Sequence, residues 1–142
     1  MSTITVGRNV FYGLKSDYLN NVLKLRDRYG RAFPRSIRKA AVKTGCGHTL
    51  WFTEVDGAWN RFFQRDGIEY IRENNLTGQW RDTVDQAARR FSEVDSPVRS
   101  VICRWTQNDG NRYYGEYQLV EVNRDFRIWK RIATTVEMDV AA

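Results

Sequence analysis

Cysteine, histidine and long apolar runs are what this chain has least of, and each shortage closes off a class of protein. Two cysteines in 142 residues are too few for a disulfide framework, so Cys46 and Cys103 are expected as free thiols. One histidine leaves a zinc site short of ligands, because such a site needs three or four converging side chains and Cys46-Gly47-His48 offers two. Nor does that pair make a convincing nucleophile and base, since nothing marks an oxyanion hole or a group to orient His48. No metal and no cofactor is expected. Apolar runs are only a few residues long, far from the roughly 18 to 20 that a membrane-spanning helix needs. The first residues, Met1 to Arg8, lack a basic stretch followed by an apolar one. An intracellular place is therefore expected, in the nucleus of a eukaryote or the cytoplasm and nucleoid of a bacterium. Glycine-rich phosphate loops, internal repeats and low-complexity tracts are missing too.

What is present begins with charge. Lys and Arg number 23 against 17 Asp and Glu, a net charge of +6, and Arg greatly outnumbers Lys. Arginine suits bidentate phosphate contacts and stacking on flat rings. With 42% apolar residues the chain is long enough to bury one real core and short for two, so a single domain over residues 1–142 is expected.

Hydrophobic periodicity sketches the elements. Ile4 to Gly13 reads as a strand and turn. Ser16-Asp17 caps a helix whose apolar stripe is Tyr18, Leu19, Val22, Leu23 and Leu25, ending at Gly30. Pro34 opens a second helix over 36–43, stopped at Thr44-Gly45. The basic residues here, including Arg35, Arg38 and Lys39, form either a solvated helix face or a phosphate-contacting ridge. His48 to Val55 is a strand, and Ala58 to Phe63 is a return strand or a short helix. Asp66-Gly67 is a turn signal, followed by a helical stretch 68–74 and a better helix over 82–91.

The most informative stretch runs from Val98 to Ile132. Val98 to Trp105 alternates as a strand, Asp109-Gly110 is a strong hairpin turn, and Tyr113 to Val122 is aromatic and β-branched. Gly115 interrupts this strand, which fits a bulge or the close approach of another backbone or a ligand. A last strand, Phe126 to Ile132, follows a connection too short for a crossover, so 98–106, 112–123 and 126–132 should be consecutive antiparallel strands. Aromatic residues interleave with Arg throughout, as in Trp51, Trp59, Arg61, Phe62, Phe63 and Arg65. Most must be core, but five Trp and seven Tyr exceed what packing needs, and some should line a cavity where a planar ligand stacks.

The segment Arg112-Tyr113-Tyr114-Gly115-Glu116-Tyr117-Gln118-Leu119-Val120, with the basic strand 126–132, resembles the YDG region of SRA domains, PUA-like readers of modified cytosine in DNA that flip the base into a pocket. Tyr114 stands where that family has the aspartate that contacts the base, and Glu116 is the candidate to replace it. The resemblance implies an α+β fold: a PUA-like curved antiparallel sheet or open barrel with flanking helices. It further implies a non-catalytic reader of nucleic acid, DNA rather than RNA, without a membrane partner. Trp105, Tyr113, Tyr114, Gly115, Glu116 and Tyr117 are the expected pocket. Arg35, Arg38, Lys39, Arg127 and Arg131 are the expected phosphate contacts. Two alternatives stay open: a protein-interaction module whose basic residues are only solvated, and a metal-dependent nuclease using Asp109 and Glu116.

Overall fold

The computed structural model describes residues 2–5, 11–37, 40–54, 57–74, 97–104, 110–122 and 125–138. Trp105, Arg38, Lys39, Asp109 and the helix expected over 82–91 lie outside them. The elements are β1 (Ser2–Thr5), α1 (Lys15–Asp17) continuing into a π-helical turn (Tyr18–Val22), β2 (Ala41–Lys43), β3 (Thr49–Glu54), β4 (Asn60–Arg65), β5 (Ile68–Asn74), β6 (Val98–Arg104), β7 (Arg112–Val122), β8 (Phe126–Ala133) and β9 (Thr135–Met138). Seven strands form one sheet in the order β2-β3-β6-β7-β8-β5-β4, and β1 pairs with β9 in a ribbon of its own. The molecule is thus rich in sheet, and its described helix is short. Among the described residues no helix is long and apolar enough to cross a membrane.

The consecutive antiparallel set β6, β7 and β8 is present as expected. One pair departs from an all-antiparallel sheet: β3 runs parallel to β6. The chain leaves β3, builds the β4–β5 hairpin at the far edge, and returns to lay β6 beside β3 in the same direction.

Three helical expectations need correction. The first helix is confined to 15–22, because Leu23 donates to the Tyr18 carbonyl at 2.9 Å and Lys24 then adopts a left-handed φ of 55°, which a helix cannot continue through. Most of its apolar stripe still serves, since Tyr18, Leu19, Leu23 and Leu25 are buried, whereas Val22 of the expected stripe is exposed. Beyond it the Asp27 carboxylate accepts from the N–H groups of Tyr29 and Arg31, a side-chain turn that competes with helix. The second helix is replaced by a turn at 35–36 and by β2, an edge strand paired with β3. The stretch 68–74 is strand, not helix: Asp66 and Gly67 take φ of 54° and 76°, the positive values of a two-residue primed turn. That turn folds β5 back on β4 with Arg65 opposite Ile68. The same pairing decides 60–65 as the return strand.

The sheet is strongly curled. Trp51 on β3 and Trp129 on β8 are three strand spacings apart, about 14 Å in a flat sheet, yet their ring centroids are 5.3 Å apart. Phe62 on β4 likewise lies 6.3 Å from Tyr117 on β7. The concave face holds Trp51, Ile71, Val101, Cys103, Tyr117 and Trp129. Its opposite, convex face carries the larger core, where Leu50, Phe52, Ile102 and Tyr113 meet the π turn, Leu25, Phe33, Ile4 and Met138. Cys46 packs against the convex core and Cys103 belongs to the concave one. Neither is in a disulfide, and the two are held on opposite sides of one sheet.

Candidate nucleic-acid interface

Gly115 shapes the aromatic strand. Val101 pairs with Gly115 and Ile102 with Tyr113, so Tyr114 is the extra residue of a β-bulge. Gly115 has φ of 128°, and a Cβ there would lie 2.8 Å from the Ala133 carbonyl oxygen and 2.7 Å from Arg131 Cδ. The expected bulge and the expected close approach are therefore both present, the approaching group being the protein's own strand β8. The bulge also resets the alternation: Tyr113 belongs to the convex core while Tyr117, four positions on, belongs to the concave one.

The expected pocket residues are consequently divided between the two faces. Tyr113 is fully buried, and its hydroxyl donates to Glu116 Oε2 at 2.8 Å. Ser100 Oγ donates to Glu116 Oε1, also at 2.8 Å, so both carboxylate oxygens are engaged beneath the convex core. Burial raises the Glu116 pKa above the ordinary value, and the two hydrogen bonds oppose this only in part. Burial, followed by the nearby Glu116 charge, also pushes the Tyr113 phenol up. Tyr114 and Tyr117 stay together on the concave side. Tyr114 is half-buried with its ring 5.1 Å from Phe62. Tyr117 is fully buried, its hydroxyl makes no hydrogen bond among the described residues, and desolvation raises its pKa.

The expected phosphate contacts are likewise separated. Arg127 is buried on the concave face, 3.7 Å from the Glu73 carboxylate. Arg131 is half-buried, with its guanidinium 5.7 Å from the Tyr114 ring. Arg35 is exposed and stands at the mouth of a cleft.

That cleft, about 810 Å³, opens where the curled sheet fails to close, between β3 and the segment leading into β4. Strand β2 begins at Ala41, opposite Trp51, so its pairing does not reach the end of β3 at Thr53 and Glu54. Trp51, Phe52 and Trp59 supply flat apolar walls, while Thr53, Asn60 and Glu73 supply polar groups. Trp59 is 46% exposed, the availability that stacking requires. Its segment is pinned, because Asn74 donates from its backbone to the Trp59 carbonyl and from its side chain to that of Ala58. Thr53 Oγ1 is buried with no hydrogen-bond partner among the described residues, a cost a ligand polar group could relieve. Lys15 and Arg35 also border the cleft.

Glu73 ties this cleft to the concave core. It accepts from Trp129 Nε1 at 3.2 Å and lies 3.6 Å from Arg99 and 3.7 Å from Arg127. The Arg99 guanidinium lies against both indoles, 4.8 Å from the Trp51 ring and 4.5 Å from that of Trp129. Such cation–π contacts strengthen when desolvated, and they hold Trp51 in a fixed orientation. Trp51 and Trp59 were legible as aromatics among arginines. Thr53, Asn60, Glu73 and Arg99 carried no local signal, because only the curl and the register bring them together.

The fold class is that of a β-rich domain built on one curled, mixed sheet with a bulged central hairpin and a cleft at the open seam. Among solved structures the chain is similar to the 5-hydroxymethylcytosine-specific restriction enzyme AbaSI, at 14% sequence identity and a TM-score of 0.51, over 78% of this chain and 36% of that one. At that identity the likeness is one of fold, and the present chain spans 36% of the enzyme's length. No protein family and no curated protein matches.

Proposed function

We propose that residues 1–142 form a single PUA-like domain that reads a modified base in DNA without itself cutting it. The observation that carries this reading is the seam cleft, which combines an exposed Trp59, a buried Trp51 and the polar groups of Thr53 and Asn60 with Lys15 and Arg35 beside it. A flat base needs a stacking wall, a few hydrogen-bonding groups at its edge, and cations for the adjoining phosphates. The SRA-like segment 112–132 and the fold likeness to an enzyme named for 5-hydroxymethylcytosine support the same reading.

In this proposal Trp59 stacks on the base, while Asn60 and Thr53 meet its edge. Lys15 and Arg35, with Arg38 and Lys39, contact phosphate. Tyr114 and Tyr117 form the inner wall that Gly115 shapes, and Tyr113 with Glu116 anchors the bulge from behind. Arg127 and Arg131 hold Glu73 and Tyr114 in position.

The test is fluorescence anisotropy with duplexes carrying one central cytosine, 5-methylcytosine or 5-hydroxymethylcytosine, at two salt concentrations. Wild type should prefer a modified duplex. Trp59→Ala should weaken binding to all three by roughly 5- to 150-fold, the loss of about 1 to 3 kcal/mol of stacking. Asn60→Ala should instead level the preference among cytosines, since an edge contact discriminates by about 1 to 3 kcal/mol. No detectable binding at low salt would sink the reading, and magnesium-dependent cleavage would replace it with a nuclease.

A further inference from the structure

The sheet has a second surface with the chemistry of nucleic-acid contact, on the face opposite the seam cleft's concave core. Residues directly paired across antiparallel strands point to the same side. The register places Arg61 opposite Arg72, Phe63 opposite Tyr70, Tyr70 opposite Lys130 and Arg72 opposite Ile128. These lie on the convex side, because their strand neighbours Phe62, Ile71 and Trp129 belong to the concave core. The helical turn and the β1–β9 ribbon cover this side only over β2, β3, β6 and the start of β7. Across β8, β5 and β4, Arg61, Arg65 and Arg72 are exposed, and Phe63, Tyr70, Phe126 and Lys130 are half-buried.

The geometry of the rings is specific. Phe63 and Tyr70 are stacked, with centroids 5.3 Å apart and planes 13° from parallel. The Arg65 guanidinium lies 5.7 Å from both centroids, and that of Arg72 lies 4.2 Å from the Phe126 ring. Alternate residues on a strand repeat about every 6.8 Å, so cations and rings alternate along β4, while across β4 and β5 ring faces ring and cation faces cation. Arg61 directly opposite Arg72 sets like charges face to face, an arrangement that favours an anion over the pair. Acidic residues also border this surface: Glu121 stands opposite Ile128, Asp66 lies in the β4–β5 turn and Asp125 immediately precedes Phe126.

We infer that the convex face of β8, β5 and β4 is a platform for single-stranded nucleic acid, with bases extending the Phe63–Tyr70 stack and phosphates meeting Arg61, Arg65, Arg72 and Lys130. A duplex does not fit it as well, because paired bases already stack on one another and offer nothing to the rings. An acidic protein would use the charges but leave the parallel rings without a function. This inference stands on residues separate from the cleft and does not depend on base reading there.

The experiment measures binding of fluorescent oligo(dT) across a salt series, with vesicles of anionic lipid as a second probe. Wild type should bind oligo(dT) with a steep salt dependence. Tyr70→Leu should weaken it by roughly 5-fold or more, from the stacking contribution of one base. The pair Arg65→Ser and Lys130→Ser should lower the slope of log affinity against log salt by about 1.4, or about 0.7 for each lost phosphate contact on a single strand. Arg26→Ser, which removes an exposed cation elsewhere, should leave binding unchanged. Thermal melts confirm that each variant is folded, and the changes at exposed Arg65 and half-buried Lys130 keep the test open if Tyr70→Leu is not. The inference is overturned if oligo(dT) does not bind at low salt, if binding ignores the platform variants, or if those variants affect only the vesicles.

Discussion

The convex face of the sheet is one surface with two fates. Over β2, β3, β6 and the start of β7 its Leu50, Phe52, Ile102 and Tyr113 are sealed beneath the helical turn. Over β8, β5 and β4 its Phe63, Tyr70 and Phe126 remain half-open. Both halves are aromatic, so aromatic content does not separate them. Their neighbours do: Leu50 pairs with Ser100 and Phe52 with Ile102, whereas Phe63 and Tyr70 sit among Arg61, Arg65, Arg72 and Lys130. A cap over the second half would have to desolvate those cations, which costs far more than burying the rings returns. The residues around an aromatic determine whether it becomes core or contact surface.

Deleting a side chain from the sealed half should give the largest effect. Leu50 is fully buried, so Leu50→Ala should cost about 2 to 5 kcal/mol in chemical denaturation. Next comes Gly115, at the point where the faces exchange. Gly115→Ala must fit a methyl group against the Ala133 carbonyl at a φ that disfavours any side chain, at a cost of about 2 to 4 kcal/mol. The comparison would weaken if Gly115→Ala were neutral by the same measurement.

A pH series isolates the buried carboxylate beneath the sealed half. Burial raises the Glu116 pKa in the folded state above the ordinary 4.5. Between those two values the unfolded chain holds fewer protons than the folded one, so stability falls as pH rises. Glu116→Gln removes this titration. The stability difference between wild type and the variant should therefore move in the variant's favour as pH climbs from about 4.5, and parallel curves would contradict it. The smallest effect belongs to the open half, where Phe63→Ala should cost only about 1 kcal/mol, since its ring is half in water already.

Legibility in the sequence followed the range of the interactions. The bulge at Gly115, the order of β6, β7 and β8, and the apolar residues of the first helical turn were readable, because each is written in a few adjacent residues. Ile68-Glu69-Tyr70-Ile71-Arg72-Glu73-Asn74 reads as helical, whereas the Asp66-Gly67 turn and two flanking strands impose extension. Tyr113 and Tyr117 belong to one expected pocket, and the bulge places them on opposite faces. The cleft was the least legible feature, because Trp51, Asn60 and Glu73 meet only when the sheet curls and leaves its seam open.

The curl has an optical consequence. Trp51 and Trp129, at 5.3 Å with planes inclined by 50°, are close and tilted enough for their electronic transitions to couple, which gives circular dichroism a pair of bands of opposite sign. Neither indole alone produces that doublet, and in a flattened sheet three strand spacings would all but extinguish it. Because Trp51 is also a wall of the cleft, the doublet is an intrinsic gauge: its amplitude reports how tightly the sheet is wound, and a guest that presses on the seam must register in it without any label being attached.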